Sequence, residues 1–428
     1  MKGVVRFIAI LLTISVVSVT AELVPIKKFI LSAHEDPVVK SQDDKNAQVR
    51  KSYPGIPGID DIEFEIRNTG FTGDDFRYTV KISPRGFQET RTGNRYNEAL
   101  IDNKKAKRQY LLNIALYNRY LTIIDLLEQK ALKVLYKDLL TLYDDRIKVM
   151  EKLSYSEDFQ LEKLIKEEKD MSKEAVFSFE IEKYITVLEQ RAKVYLNDTS
   201  FTAFDTSDLV SIKTIMNRIE TSSFALDTNN ASIKLYRTRI DLANSRFKME
   251  KAQSHKFFDA LSFLYDNGDR VDEYDRKYQG KDYNLNKAFA VELSFRIPNL
   301  TLASHQLNKY KADLLSEAEN YEQIKDELGE KVRKDLADLN QLIAQYRYLS
   351  ARINEVDAEA SLKKFLQIEG IDPLVLLDIK ENILKTQIDM TWIKHGILRN
   401  YLYVIDNAGL LSTRPIRNYL SENMEIIE

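Results

Sequence analysis

Four histidines, His34, His255, His305 and His395, stand far apart in the 428 residues, and no pair has metal-ligand spacing. There is no cysteine, so disulfides, thiolate metal sites, cysteine nucleophiles and a lipidated N-terminal cysteine are all excluded. No nucleophile elbow, phosphate loop or strand-end carboxylate pair is present, so the sequence reads as a non-enzyme with no cofactor. Two acidic residues near one turn stand out instead. In Glu369-Gly370-Ile371-Asp372-Pro373, Asp372 suits a helix N-cap and Pro373 the first helical position, with Asp378 one to two turns further on. Gly370 suits a turn that needs a permissive backbone. Trp392 shares a helical stretch with Ile388 and His395, which reads as packing.

The elements that would carry these residues are unusually long. Between Gly93 and Gly268 there is neither glycine nor proline, so few turns interrupt the chain. A helix is expected from about Gln88 to Leu153, which at about 1.5 Å per residue would run roughly 95–100 Å. Leu116, Tyr120, Ile123, Leu127, Ala131 and Val134 form one stripe, and Leu132, Leu135, Leu139 and Leu142 begin a second, offset one. Two stripes predict a helix with a neighbour on each side, as in a wall. A second long helix is expected from Leu300 to about Leu366, with Gly329 its only breaker.

Two strand pairs punctuate these helices. Ile62, Phe64 and Ile66 alternate with Glu63, Glu65 and Arg67, and Phe76, Tyr78, Val80 and Ile82 with Arg77, Thr79, Lys81 and Ser83. Phe289, Val291, Leu293, Phe295 and Ile297 alternate with Ala290, Glu292, Ser294 and Arg296, while the partner strand near Phe257–Tyr265 alternates less well. Alternation puts one face in an apolar medium, either a protein core or lipid. The lengths approach the 9–11 residues of a tilted transmembrane strand. Pro84 and Pro298 mark the two strand-to-helix transitions. Each half then reads helix, strand, strand, long helix, turn, helix, with Asp36-Pro37 and Asn230-Ala231 opening the equivalent first helices.

The N-terminus reads as an export signal over residues 1–21. Lys2 and Arg6 precede the apolar stretch Phe7–Val19, and Val19-Thr20-Ala21 is a small-residue cleavage site. Lys and Arg number 63 against 66 Asp and Glu, interspersed, so no basic field points to nucleic acid. The expected organisation is a first repeat at 22–223, a second at 224–407, and a C-terminal tail at 408–428.

Three stretches carry a resemblance. Phe289-Ala290-Val291-Glu292-Leu293-Ser294-Phe295-Arg296-Ile297-Pro298 looks like the second-repeat strand of TolC family outer-membrane efflux and secretion channels. Glu369 to Asp378 looks like that family's periplasmic tip, and Asn230 to Ala252 resembles the helix opening its second repeat. The resemblance implies a mainly α protein with some β, built from long antiparallel helical hairpins in an α-barrel. Four strands per chain would join a 12-stranded transmembrane β-barrel in a homotrimer, with Asn197–Ser223 and the tail as a belt. It further implies an exit duct in the outer membrane, partnered by outer-membrane lipid, a periplasmic adaptor and an inner-membrane transporter. Threefold copies of Asp372 or Asp378 would then form acidic rings at the periplasmic aperture, beside Gly370 and Pro373. The first-repeat tip, Ser154-Tyr155-Ser156, lacks the second tip's glycine. A non-conducting periplasmic coiled-coil scaffold or adaptor is the alternative reading.

Overall fold

The chain's periodicities become long helices and two sheets, one of two strands and one of four. The computed structural model describes residues 23–51, 59–68, 76–155, 161–221, 224–266, 289–295, 300–355 and 373–428. In chain order these hold β1 (Val24–Pro25), α1 (Ile26–Leu31), a 3₁₀ turn (Ser32–Glu35), α2 (Pro37–Lys51), β2 (Ile59–Asn68) and β3 (Phe76–Pro84). Then come α3 (Phe87–Leu153), α4 (Leu161–Leu196), β4 (Phe204–Asp205), α5 (Ile212–Thr221) and α6 (Ala231–Ser254). β5 (Phe258–Asp266), β6 (Phe289–Phe295), α7 (Leu300–Glu355) and α8 (Pro373–Ala408) complete the order. The expected repeat is visible in it: α2-β2-β3-α3-α4 is followed by α6-β5-β6-α7-α8. The expected export signal and Pro298 lie outside the described residues, as does the continuation of the second long helix beyond Glu355.

Two spatial units emerge, and each draws on both halves of the sequence. The first comprises Met1–Val39, Leu112–Asp227 and Gly329–Glu428. Its core is the first stripe of α3 (Leu116, Tyr120, Ile123), then the second (Leu132, Leu139, Leu142), with Ile397, Leu398, Leu402, Val404 and Ile405 of α8. The first stripe leaves this core by Val134, which is exposed. β1 pairs in parallel with β4, and Phe29 packs edge-on to Phe204 at 4.9 Å. Three arginines are buried in this unit, Arg119, Arg146 and Arg218. Arg119 donates to Asp36 Oδ2 (3.1 Å) and Ser32 Oγ (3.0 Å) and lies 4.4 Å over the Tyr195 ring. Arg218 of α5 donates to the Tyr419, Ser421 and Glu422 carbonyls and so fastens the C-terminal tail to α5. Helix α4 shows how a segment without glycine stops: Asn197 takes φ 51°, and Asp198 N–H bonds back to Lys193 O at 3.1 Å. α8 uses Gly409 at φ 88° for the same purpose.

The second unit comprises Lys40–Leu111 and Thr228–Leu328 and contains the sheet. Asn230 caps α6 by accepting from Ser232 N (2.8 Å) and Ile233 N (3.4 Å). Asp36 Oδ1 similarly takes Val38 N–H (3.1 Å) at the start of α2, in the first unit. The sheet is antiparallel throughout, in the order β2-β3-β5-β6. Pro84 is its last paired residue on β3 and faces Ile59. α3 begins three residues after it, at Phe87, and Glu89 Oε2 accepts the Gly86 N–H at its start. α7 runs through Gly329 unbroken, in keeping with the long helix expected from Leu300.

Candidate functional site: a two-faced sheet and a buried arginine cluster

Register sorts the sheet's side chains into continuous rows. Ile62, Ile82, Leu261 and Leu293 lie side by side, then Phe64, Val80, Phe263 and Val291, then Ile66, Tyr78, Tyr265 and Phe289. All three rows share one face, because side chains two apart on a strand point the same way. The opposite face carries Glu63, Lys81, Ser262 and Glu292 in one row and Glu65, Thr79, Leu264 and Ala290 in the next. Glu63 accepts from Lys81 Nζ at 3.2 Å, and Glu65 from Arg67 Nη2 at 2.6 Å. Both faces are open to solvent in the single chain, the polar one with Glu63 62% exposed and the apolar one with Phe64 63% and Val291 57% exposed. A contiguous apolar surface of this extent marks a binding or membrane surface.

The weaker alternation of β5 has a physical cause. Phe258 faces Phe295, with rings 5.8 Å apart, but Ala260 faces Ser294, so Asp259 is an extra residue. Phe258 and Leu261 therefore share a face three residues apart. The same irregularity occurs in β2, where Ile59 faces Pro84 and Asp61 faces Ser83. Its extra residue, Asp60, is paired to Arg85 Nε (2.8 Å) and Lys256 Nζ (3.5 Å).

Near the ends of three helices of the first unit, one guanidinium gathers the acids. Arg146 of α3 is 3% exposed and meets Glu167 of α4 (2.9 Å), Glu381 of α8 (2.6 Å) and Asp378 of α8 (2.8 Å). Glu381 also accepts from Tyr143 OH (2.9 Å) and pairs with Lys385 (2.7 Å). Burial pushes Glu381 up, yet the hydrogen bonds from Lys385, Arg146 and Tyr143 outweigh it and hold the carboxyl below the usual glutamate range. Burial and then Glu381 push the Tyr143 hydroxyl up to about 12.

Of the residues singled out by sequence, Pro373 is the first residue of α8 and Asp378 is 63% exposed, held by Arg146. Ser154 ends the α3 turn with its N–H on Glu151 O (3.1 Å), and Tyr155 is fully solvent-facing. Gly370, Asp372 and Ser156 lie outside the described residues. The packing expected of Trp392 is corrected: the indole is 45% exposed, although Ile388 is buried and His395 Nδ1 sits 2.9 Å from Thr391 O. Sequence reasoning missed Arg146, Glu167 and Glu381. The available signal was a cation at a core position, since Leu139, Leu142, Arg146 and Met150 continue one buried stripe of α3.

No protein-family model and no curated protein matches the chain. Solved structures do. VceC, an outer-membrane protein of Vibrio cholerae, is 13% identical with TM-score 0.64 over 90% of this chain and 96% of its own. The open-state MtrE outer-membrane channel of Neisseria gonorrhoeae is 13% identical with TM-score 0.64, over 90% and 88%. The CmeC outer-membrane channel of Campylobacter jejuni is 12% identical with TM-score 0.61, over 94% and 86%. The fold is that of the TolC-type outer-membrane channels.

Proposed function

We propose that the chain is an exit duct of the outer membrane, serving an efflux or type I secretion assembly. Three copies form it, and a periplasmic adaptor and an inner-membrane transporter deliver its cargo. The observation that carries this reading is the sheet's segregation of side chains, with three uncovered aromatic and aliphatic rows on one face and the charges on the other. Lipid is the medium that rewards such a face, and no helix among the described residues is long and apolar enough to cross a membrane. Unpaired strand edges are not tolerated in lipid, so a four-stranded sheet must close with copies of itself. The two edges, β2 and β6, run in opposite directions, so successive copies add in antiparallel fashion. Three copies give twelve strands, with Glu63, Glu65 and Lys81 lining a watery lumen.

Helix α4 supports the same assembly. Ile181, Ile185, Leu188 and Ala192 are buried in its own chain, while Val176, Phe179, Val187 and Val194 form a separate exposed stripe. That second stripe is where a neighbouring copy packs. Resemblance to the VceC, MtrE and CmeC channels agrees with this role. At the periplasmic aperture, Asp372 and Asp378 supply acidic rings, Gly370 and Pro373 shape the turn, and Ser154, Tyr155 and Ser156 form the companion tip. Residues 1–21 are removed on export.

Membrane fractionation, an unheated gel and planar-bilayer conductance test the reading. The expected result is an outer-membrane oligomer with trimer mobility and single-channel steps; a soluble monomer without conductance overturns it. Asp372→Asn combined with Asp378→Asn is expected to weaken cation selectivity, and unchanged selectivity removes both from the aperture.

A further inference from the structure

Where α3, α7 and the end of α8 come together in the first unit, two carboxylates lie among too few donors. Asp406 Oδ1 takes one hydrogen bond, from Asn113 Nδ2 at 2.6 Å, and Asp335 Oδ2 takes one, from Asn407 Nδ2 at 2.7 Å. Asn113 Oδ1 is itself buried without a partner. The Tyr117 and Tyr403 rings stand close by, 6.2 Å apart. Among the described residues no Lys or Arg nitrogen comes within 4 Å of either carboxylate. Lys331 and Lys334 of α7 act on Asp335 from further away, and Asp338 opposes them. The loop crossing the end of α8 contributes Asp227, whose N–H bonds Ala408 O at 3.0 Å. Acceptors outnumber donors, and a proton is the smallest group that supplies one.

We propose that Asp406 and Asp335 form a proton-operated joint that holds α3, α7 and α8 together in mild acid and loosens as pH rises. The joint sits in the last turn of α8, just before Gly409 releases the chain into the tail. Loosening therefore frees the root of the belt segment. Burial pushes the Asp406 carboxyl up to about 6 against the Asn113 hydrogen bond, and Asp335 adds to the rise. Burial also raises Asp335. A folded value above the unfolded 3.8 means the closed joint is favoured in acid, and that advantage is lost as pH rises from about 4 through 6. The joint requires only the helical unit, so it stands or falls separately from conduction.

Hydrogen exchange of the full-length oligomer in detergent, corrected for intrinsic rates, reads the joint directly. Backbone amides of residues 400–408 are expected to be about tenfold better protected at pH 5 than at pH 7. Asp406→Asn is expected to abolish the difference, with protection at pH 7 matching wild type at pH 5. Asp335→Asn, the independent variant, is expected to move the transition to lower pH. Equal wild-type protection at both pH values overturns the proposal, as does an unchanged pH dependence in Asp406→Asn or a fixed midpoint in Asp335→Asn.

Discussion

The two units distribute charge in opposite ways. The helical unit buries Arg119, Arg146 and Arg218 among carbonyls and carboxylates, whereas the sheet of the other unit leaves Phe64, Val291 and Phe295 uncovered and keeps Glu63 and Lys81 on its opposite face. A buried cation is tolerable only when its partners are in place, because the desolvated charge has nowhere else to go. An uncovered apolar face is tolerable only when the medium beside it is not water. On the proposed reading, one polypeptide answers to two solvents, and the sheet is the part that answers to lipid.

The sharpest way to break the comparison is to remove a buried cation. Arg146→Met leaves Glu167 and Glu381 without their common partner and is expected to cost about 3–5 kcal/mol, read as a lowered denaturation midpoint. Acid should do part of the same work. Because Glu381 is held below its unfolded value, its stabilising contribution is present above that value and is lost as pH falls through the folded one. Stability of wild type should thus drop on strong acidification more than that of a Glu381→Gln variant.

Next in size is the sheet's apolar face. Val80→Arg, mid-sheet, is expected to cost about 2–4 kcal/mol if the face meets lipid, whereas Thr79→Arg, one residue away, should be nearly silent. Bilayer-refolding titrations of the two variants distinguish a lipid face from a solvent face, on which both would be tolerated. Removing the α6 cap by Asn230→Ala should cost about 1 kcal/mol. The smallest effect has the opposite sign: nothing lies within 4 Å of a Cβ built on Gly329, so Gly329→Ala should stabilise α7 by about 0.5–1 kcal/mol.

Legibility in the sequence followed periodicity. The stripes of α3 and the alternation of β2, β3 and β6 are local patterns repeated over many residues, so they survived reading without coordinates. Events confined to one residue did not. Asn197 ends α4 by adopting a left-handed conformation usually left to glycine, so a search for glycine passed over it. Arg146 was missed because its partners come from helices distant in sequence, and a lone cation within an apolar stripe looks like an interruption until the acids facing it are seen.

The extra residues of β2 and β5 have one more consequence. Asp60 and Asp259 occupy matching places in the two halves, each between the end of a strand and the rest of its ladder. Each acts as a phase shift in a two-letter code, inside and outside, resetting the count after an odd step. Deleting Asp259 would bring Phe258 to two residues before Leu261, so plain alternation alone would keep it opposite Phe295. A single lost codon would then straighten the strand's end, removing the bulge and its carboxylate while every side chain that remains keeps its side.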